Sequence, residues 1–280
     1  MRHHPRQQLP GKVLAVLSDW QADLDDEWAR EQTRTETERR TAGAVAEAQW
    51  NAHRTTKALE VISVALEAMA SPNVARCMYC EHDRGCEIDH WRPKARDASG
   101  TFRWENLVLS CGKCNRDKLA RFDERMIDPT RHDPLEHLML LPSGRWDPSD
   151  DRGKATDAAL PHLNSQKLSE ARKGRRAVVM RRLTELATLV EVEPASLDDL
   201  RWEMTNETFS DVFAAVLAMS QRPELARALP PAVVASLRKH PELYEWLDAD
   251  DKRRWEAAAP KLAELVGEVR RRARPEPEGP

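Results

Sequence analysis

Four cysteines stand in two pairs, Cys77-Met-Tyr-Cys80 and Cys111-Gly-Lys-Cys114, and between the pairs lies Asp89-His90. Each C-x2-C places two thiolates about one tight turn apart, so two pairs can close a tetrahedron around zinc. A closed four-sulfur site has no open coordination position, which assigns such an ion to structure and not to chemistry. A redox role would account for one C-x2-C and leave the other without a reason. Cys86, the fifth cysteine, reads as a buried thiol.

The residues inside this frame are the ones that could act. His90 can be neutral at pH 7 and take a proton from water. Asp89 is a hard oxygen ligand suited to magnesium. On an extended strand these two neighbours point to opposite faces, so a twist or strand end must let both serve one site. Asn115, read as opening a helix behind the second pair, can offer its amide oxygen to the same ion. Asn106 opens a second strand, where it can fix the orientation of His90, and Lys118 lies one turn beyond Asn115, within reach of a phosphate. A histidine beside an aspartate is more often structural than catalytic. The reading changes because His, two Asn and Lys fall in order inside a four-cysteine frame. Trp91 and Trp104 flank the motif as packing residues.

This arrangement resembles the HNH endonucleases, which have the ββα-metal fold. That family carries an acid-His pair on the first strand, an Asn opening the second, and an Asn or His at the helix start, and many members hold the motif between two C-x2-C knuckles. The resemblance implies that Asp89 and Asn115 bind the catalytic ion, magnesium or manganese, that His90 is the general base, and that Asn106 orients it. Arg92, Lys94 and Lys118 would then neutralise phosphates. Cys77-Met-Tyr-Cys-Glu81, Ile88-Asp-His-Trp-Arg-Pro-Lys94 and the run from Trp104 to Lys118 are also similar to the HNH subunit of Septu-type anti-phage systems and retron-linked relatives. That likeness extends through Met126-Ile-Asp-Pro129, Asp133–Leu138, Gly144-Arg-Trp146 and Leu163–Arg172. Those proteins usually carry Glu-His followed by Phe where this chain has Asp-His-Trp91, a change that keeps the charge. The resemblance implies an ABC-type or SMC-like ATPase partner.

Positioning these residues requires a strand, a loop, a second strand and a helix. Short β-like pieces run over Cys86–Trp91 and Asn106–Ser110, separated by the turn-prone Ala98-Ser-Gly-Thr101. On either side the patterning is helical. Before the motif, Glu31–Arg40 carries Glu and Arg three and four apart and leads into Leu59, Val61, Ile62, Leu66 and Met69, which reads as one long helix with a solvated first half. Ser71-Pro72-Asn73 should end it. After the motif, Ser165–Leu186 is helical, Ser196-Leu-Asp-Asp199 is a helix start of the Ser-x-x-acid type, and Phe209–Met219 is an apolar core helix. Prolines 223, 230, 231 and 241 punctuate shorter helices. The predicted fold is α+β and mostly α-helical, with a zinc-bound ββα-metal unit embedded between helical regions. Its segments are 1–72 (N-terminal helical region), 73–150 (nuclease domain), 151–272 (C-terminal helical region) and 273–280 (a disordered tail).

Composition sets the outer limits. The chain has 280 residues, enough for a full core, with 32% charged residues and a net charge of −3. That balance does not advertise nucleic-acid binding by bulk electrostatics, so any footprint is local. The stretch 165–182 carries Lys167, Arg172, Lys173, Arg175, Arg176, Arg181 and Arg182, a pattern that fits a phosphate-tracking patch and equally a solvated helix face. No apolar run reaches the ~18–20 residues of a membrane span. The start lacks an apolar signal core, and the cysteine usage suits a reducing compartment, so the expected location is the cytoplasm. The function expected is a metal-dependent endonuclease acting on DNA in anti-phage defence and gated by a partner ATPase. The alternatives are a zinc-ribbon nucleic-acid-binding module without catalysis, a scaffold built on the helical flanks, or an HNH nuclease acting on RNA such as tRNA.

Overall fold

The computed structural model describes residues 1–70, 75–188, 194–206 and 209–269. Three helices come first: α1 (Gly11–Gln32), α2 (Ala42–His53) and α3 (Lys57–Ala70). Strands β1 (Glu87–His90) and β2 (Leu107–Ser110) form a two-stranded sheet, and α4 (Gly112–Arg121) follows at once. The strand, loop, strand, helix order is therefore present. A short α5 (Pro134–His137) leads into an antiparallel pair, β3 (Leu138–Leu140) with β4 (Trp146–Pro148), in which Met139 faces Asp147. The remainder is helical: α6 (Asp151–Ala159), α7 (Gln166–Thr188), α8 (Pro194–Asn206), α9 (Ser210–Gln221), α10 (Pro223–Ala226), α11 (Pro231–Lys239) and α12 (Trp246–Glu268). The chain is α+β and mostly helical. Among the described residues no helix is long and apolar enough to cross a membrane. The expected break at Ser71-Pro72-Asn73 and the expected disordered tail lie outside the described residues.

The chain forms two compact units, each assembled from separated stretches. The first comprises Met1–Arg6, Glu67–Asp89 and Leu109–Glu256; the second comprises Gln7–Leu66, His90–Val108 and Ala257–Pro280. In the first unit α9 is buried from Ser210 to Leu217, as its unbroken apolar run requires, and α7, α8, α10 and α11 pack around it. Helix α7 turns two of its arginines inward. Arg172 is fully buried and donates to the carbonyls of Gly144 and Leu163, and the buried Arg175 donates to the carbonyl of Glu203. Among the cations of that stretch, Lys173, Arg181 and Arg182 pair with nearby glutamates. Two of the seven cations in that stretch are therefore structural donors, while Lys167, Lys173 and Arg181 are exposed. Helix α8 begins at Pro194, two residues before Ser196, with proline in the first turn where its missing N–H costs nothing.

The second unit corrects the long N-terminal helix. Helix α1 stops at Gln32, and Thr33–Thr41 is not helical. Arg40 turns back and donates to Glu31 Oε1 at 2.5 Å and to Glu27 Oε1 at 2.6 Å, so the same charges that look like helical i,i+4 pairs close a loop instead. Thr41 then caps α2 by accepting from Ala44 N at 3.2 Å. Helices α1 and α2 pack on residues 98–100. Gln21 accepts from Phe102 N at 3.0 Å and donates to Ala98 O at 3.3 Å. Trp20 stacks on His53 at 4.0 Å, and His53 meets Phe102 edge-on at 5.6 Å. At Gly43 a Cβ would come within 2.8 Å of the Ala95 backbone, so only glycine permits this approach of α2 to the loop. The N-terminal helices are the platform of the loop between β1 and β2.

Candidate metal centre and catalytic residues

The two knuckles are built by the backbone. Cys77 N–H donates to Asp83 O and Gly85 N–H to Ala75 O, both at 2.9 Å, closing a tight hairpin on Cys77 and Cys80. Glu81 inside that turn has φ 59°, a left-handed conformation that favours glycine. Its buried carboxylate holds it there, accepting from His4 Nε2 at 2.5 Å and Ser210 Oγ at 3.3 Å with Arg2 Nε at 4.0 Å. Burial opposes this charge, yet His4 and Arg2 keep Glu81 at about 2. The second knuckle is the start of α4. Cys111 is its N-cap, with Sγ accepting from Cys114 N at 3.4 Å. The helix thus begins at Gly112, three residues before the expected start, and Asn115 sits in the first turn.

The ligand atoms of Cys77, Cys80, Cys111 and Cys114 all lie within 4.8 Å of one another, and all four residues are buried. Zinc–sulfur bonds of 2.3 Å give sulfur separations of about 3.8 Å in a tetrahedron, so the cluster fits zinc. Burial pushes the Cys77 thiol well up, so keeping it as a thiolate takes a cation in the cluster. Cys86 stands apart and is exposed, which corrects its reading as a buried thiol. The cause is its place just ahead of β1, where its N–H donates to Ser110 O at 3.0 Å and its side chain faces out.

In the same unit Asp89 is buried at the end of β1. Its Oδ2 accepts from Tyr79 Oη at 2.8 Å, and its Oδ1 lies 3.2 Å from Lys118 Nζ. Lys118 is itself fully buried, so a phosphate contact would require this pair to open. Asn115 donates through Nδ2 to Glu87 Oε2 at 2.7 Å, which leaves Oδ1 as its acceptor atom. Glu87 and Asp89 are two apart on a strand and share a face. The two carboxylates and the amide oxygen are hard oxygen donors, the kind that suits magnesium. Glu87 and Tyr79 were not singled out in the sequence. The period of two along β1 marks Glu87, whereas nothing local marks Tyr79.

In the other unit His90 is buried with its ring against Trp50 of α2, edge-on at 4.5 Å. Its Nε2 lies 2.9 Å from Thr101 O, and its Nδ1 lies 3.4 Å from Lys94 Nζ. A carbonyl can only accept, so the Nε2 position carries the hydrogen and Nδ1 has the lone pair. Lys94 also pairs with Glu47 of α2 at 3.2 Å and stands over the Trp50 ring at 5.4 Å. Asn106 clamps the loop around the histidine. Its Oδ1 accepts from Arg92 N at 2.8 Å, and its Nδ2 donates to Arg92 O at 3.1 Å and Gly100 O at 3.0 Å. Arg92 faces Asp97 at 3.7 Å with its guanidinium half-exposed. Trp104 is buried and donates to Gln7 O at 2.8 Å, a packing role.

Over 96 residues the chain is 30% identical to the Septu protein PtuB of Bacillus thuringiensis, a match covering 32% of this chain and 37% of that protein. The segment that carries the four-cysteine cluster, Asp89, His90, Asn106 and Asn115 lies within residues 76–121, which match the family model of the HNH endonucleases.

Proposed function

We propose that this chain is a cytoplasmic, metal-dependent endonuclease that hydrolyses phosphodiester bonds in DNA, as the nuclease effector of an anti-phage defence system. The tautomer of His90 carries the reading. With its Nε2 hydrogen engaged by the Thr101 carbonyl, Nδ1, which accepts from Lys94 Nζ at 3.4 Å, takes a proton from a water molecule once Lys94 turns to a phosphate oxygen. The water oxygen bonds to phosphorus as the bond to the 3′ oxygen breaks, and that oxygen leaves on the side opposite the attack. Asp89 and Asn115, with Glu87 beside them, would hold magnesium or manganese, which supplies Lewis-acid stabilisation of the charge on the phosphate and the leaving oxygen. Asn106 keeps the loop at residues 92 and 100 in place, so the ring of His90 stays aimed. Lys94 and Arg92 border the histidine and neutralise phosphate oxygens; Lys118 joins them only if its pair with Asp89 opens. Zinc on Cys77, Cys80, Cys111 and Cys114 holds the knuckles together and takes no part in the chemistry. An ATPase partner that gates cleavage is what the resemblance to Septu-type systems implies for this chain, whose match to a Septu protein covers 37% of that protein.

The test is cleavage of supercoiled plasmid in magnesium by the chain and by His90→Ala. Loss of a general base costs about 10²–10⁴-fold, so nicking or linearisation should fall by that factor while zinc content stays unchanged. Equal rates in the two proteins would remove His90 from the mechanism. Cleavage of structured RNA but not of plasmid would move the substrate to RNA, since attack by water needs no 2′ hydroxyl. Nucleic-acid binding with no cleavage, with or without a co-purified ATPase, would leave a zinc-ribbon binding module.

A further inference from the structure

The four-sulfur cluster has neighbours of its own. Asp83 lies three residues beyond Cys80, and His162 comes from the 3-10 turn Pro161–Asn164 ahead of α7. The ligand atoms of Cys80, Asp83, Cys111 and His162 all lie within 4.8 Å of one another, the same condition the four cysteines meet. Two four-ligand sets therefore share one edge, the sulfurs of Cys80 and Cys111.

The Asp83 carboxylate is oriented for such a site. On its outer side Oδ1 is bonded to His82 Nδ1 at 2.8 Å and faces Lys167 Nζ at 3.9 Å. On its inner side Oδ2 lies 2.9 Å from His162 Nε2 and 4.0 Å from Cys111 Sγ. One oxygen is anchored and the other is presented, the arrangement that orients a metal-binding carboxylate. The backbone of Asp83 cannot drift from the knuckle, because its carbonyl accepts from Cys77 N–H at 2.9 Å.

We propose that this chain binds a second zinc ion through Cys80, Asp83, Cys111 and His162, with the two shared sulfurs bridging it to the zinc of the four-cysteine site. The proposal rests on the zinc reading of that first site. Each thiolate sulfur has lone pairs enough for two ions, so both ions reach four ligands with no further donor. The charges favour it as well. One zinc among four thiolates leaves two negative charges and Asp83 adds a third; a second zinc reduces the total to one. Binding at His162 releases the hydrogen that Nε2 now shares with Asp83. Bonds of 2.0–2.1 Å to nitrogen and oxygen would set those two atoms about 3.3 Å apart, so their separation opens by a few tenths of an ångström. The side chains of Asp83 and His162 are 29% and 12% exposed, so an ion can enter from solvent after the first site has closed.

The experiment is zinc stoichiometry on the full chain. The protein is passed over a chelating resin, titrated with zinc against a chromophoric chelator, and its bound metal counted by mass spectrometry. Asp83→Asn and His162→Gln are compared, because each keeps a hydrogen-bonding group of similar size and near-ultraviolet circular dichroism reports whether the fold survives. The expected result is two zinc ions in the parent at saturation and one in each folded variant. Loading with cobalt(II) should give a spin-coupled pair in the parent and a normal single-ion signal in His162→Gln. One zinc in the parent would overturn the second site while keeping the first, and two zinc ions in a folded variant would overturn the ligand set. Uncoupled cobalt ions would overturn the bridge. No zinc in the parent would remove both sites.

Discussion

Glu87 is the residue that holds the amide of Asn115, since the 2.7 Å bond from Nδ2 leaves Oδ1 as its acceptor atom. Partners of this kind are worth about 10–100-fold in metal affinity or activity. Glu87→Ala is therefore expected to raise the magnesium concentration needed for half-maximal plasmid cleavage by about that factor without altering bound zinc. An unchanged magnesium dependence would separate Glu87 from the site. Glu81 offers a second case in which two effects oppose each other. Glycine is the natural occupant of φ 59°, and Glu81→Gly relieves about 1–2 kcal/mol of backbone cost. It also strips the buried His4 and Arg2 of their carboxylate, and breaking a buried pair costs about 3–5 kcal/mol. Urea unfolding with zinc present should show the variant less stable; a gain in stability would mean that the turn, not the ion pair, dominates.

Among the elements, the loop between α1 and α2 depends on carboxylates. Donors from Gln49 first and Arg40 second hold Glu27 below its ordinary value of 4.5. A carboxylate with a depressed folded-state pKa adds stability above its unfolded value and loses it as the pH falls further. Thermal melting of the parent should therefore decline more steeply than that of Glu27→Gln as the pH drops below about 4.5, and parallel curves would show that the loop does not sense this charge. The start of α4 depends on sulfur, because Cys111 is at once its N-cap and a member of the cluster. Cys111→Ser keeps a capping oxygen but should lose zinc and helix content together, read by metal analysis and far-ultraviolet circular dichroism. Much of this level was legible in the sequence. Cysteine spacing gave both knuckles, turn residues separated β1 from β2, and the apolar run at Phe209–Met219 marked α9. Thr33–Thr41 was not legible, because Glu and Arg spaced for a helix are also spaced for a loop closed by Arg40. Helix α7 misled for a related reason: composition counts arginines but does not show that Arg172 and Arg175 donate to carbonyls. The hairpin of β3 and β4 is too short, at three residues a strand, for its period to stand out.

For the molecule as a whole, a net charge of −3 gives no bulk attraction for a polyanion, and two arginines of α7 are turned inward. Alone, the chain should bind DNA no more tightly than the ~10⁻⁴–10⁻⁶ M usual for non-specific contacts, and with a shallow salt dependence. A steep slope in a titration against salt would reveal a phosphate-binding face elsewhere. The units themselves could not be read from consecutive sequence, since each is assembled from three stretches and the cut passes between Asp89 and His90. The buried Lys118 has a consequence for the way two metals divide their work. Because its ammonium already neutralises Asp89 at 3.2 Å, magnesium arriving there exchanges one cation for another, and only the difference between the two enters its apparent affinity. On the proposed function, zinc and magnesium would then act on separate quantities: removing zinc should lower the melting temperature, whereas adding magnesium should raise the cleavage rate and leave that temperature almost where it was.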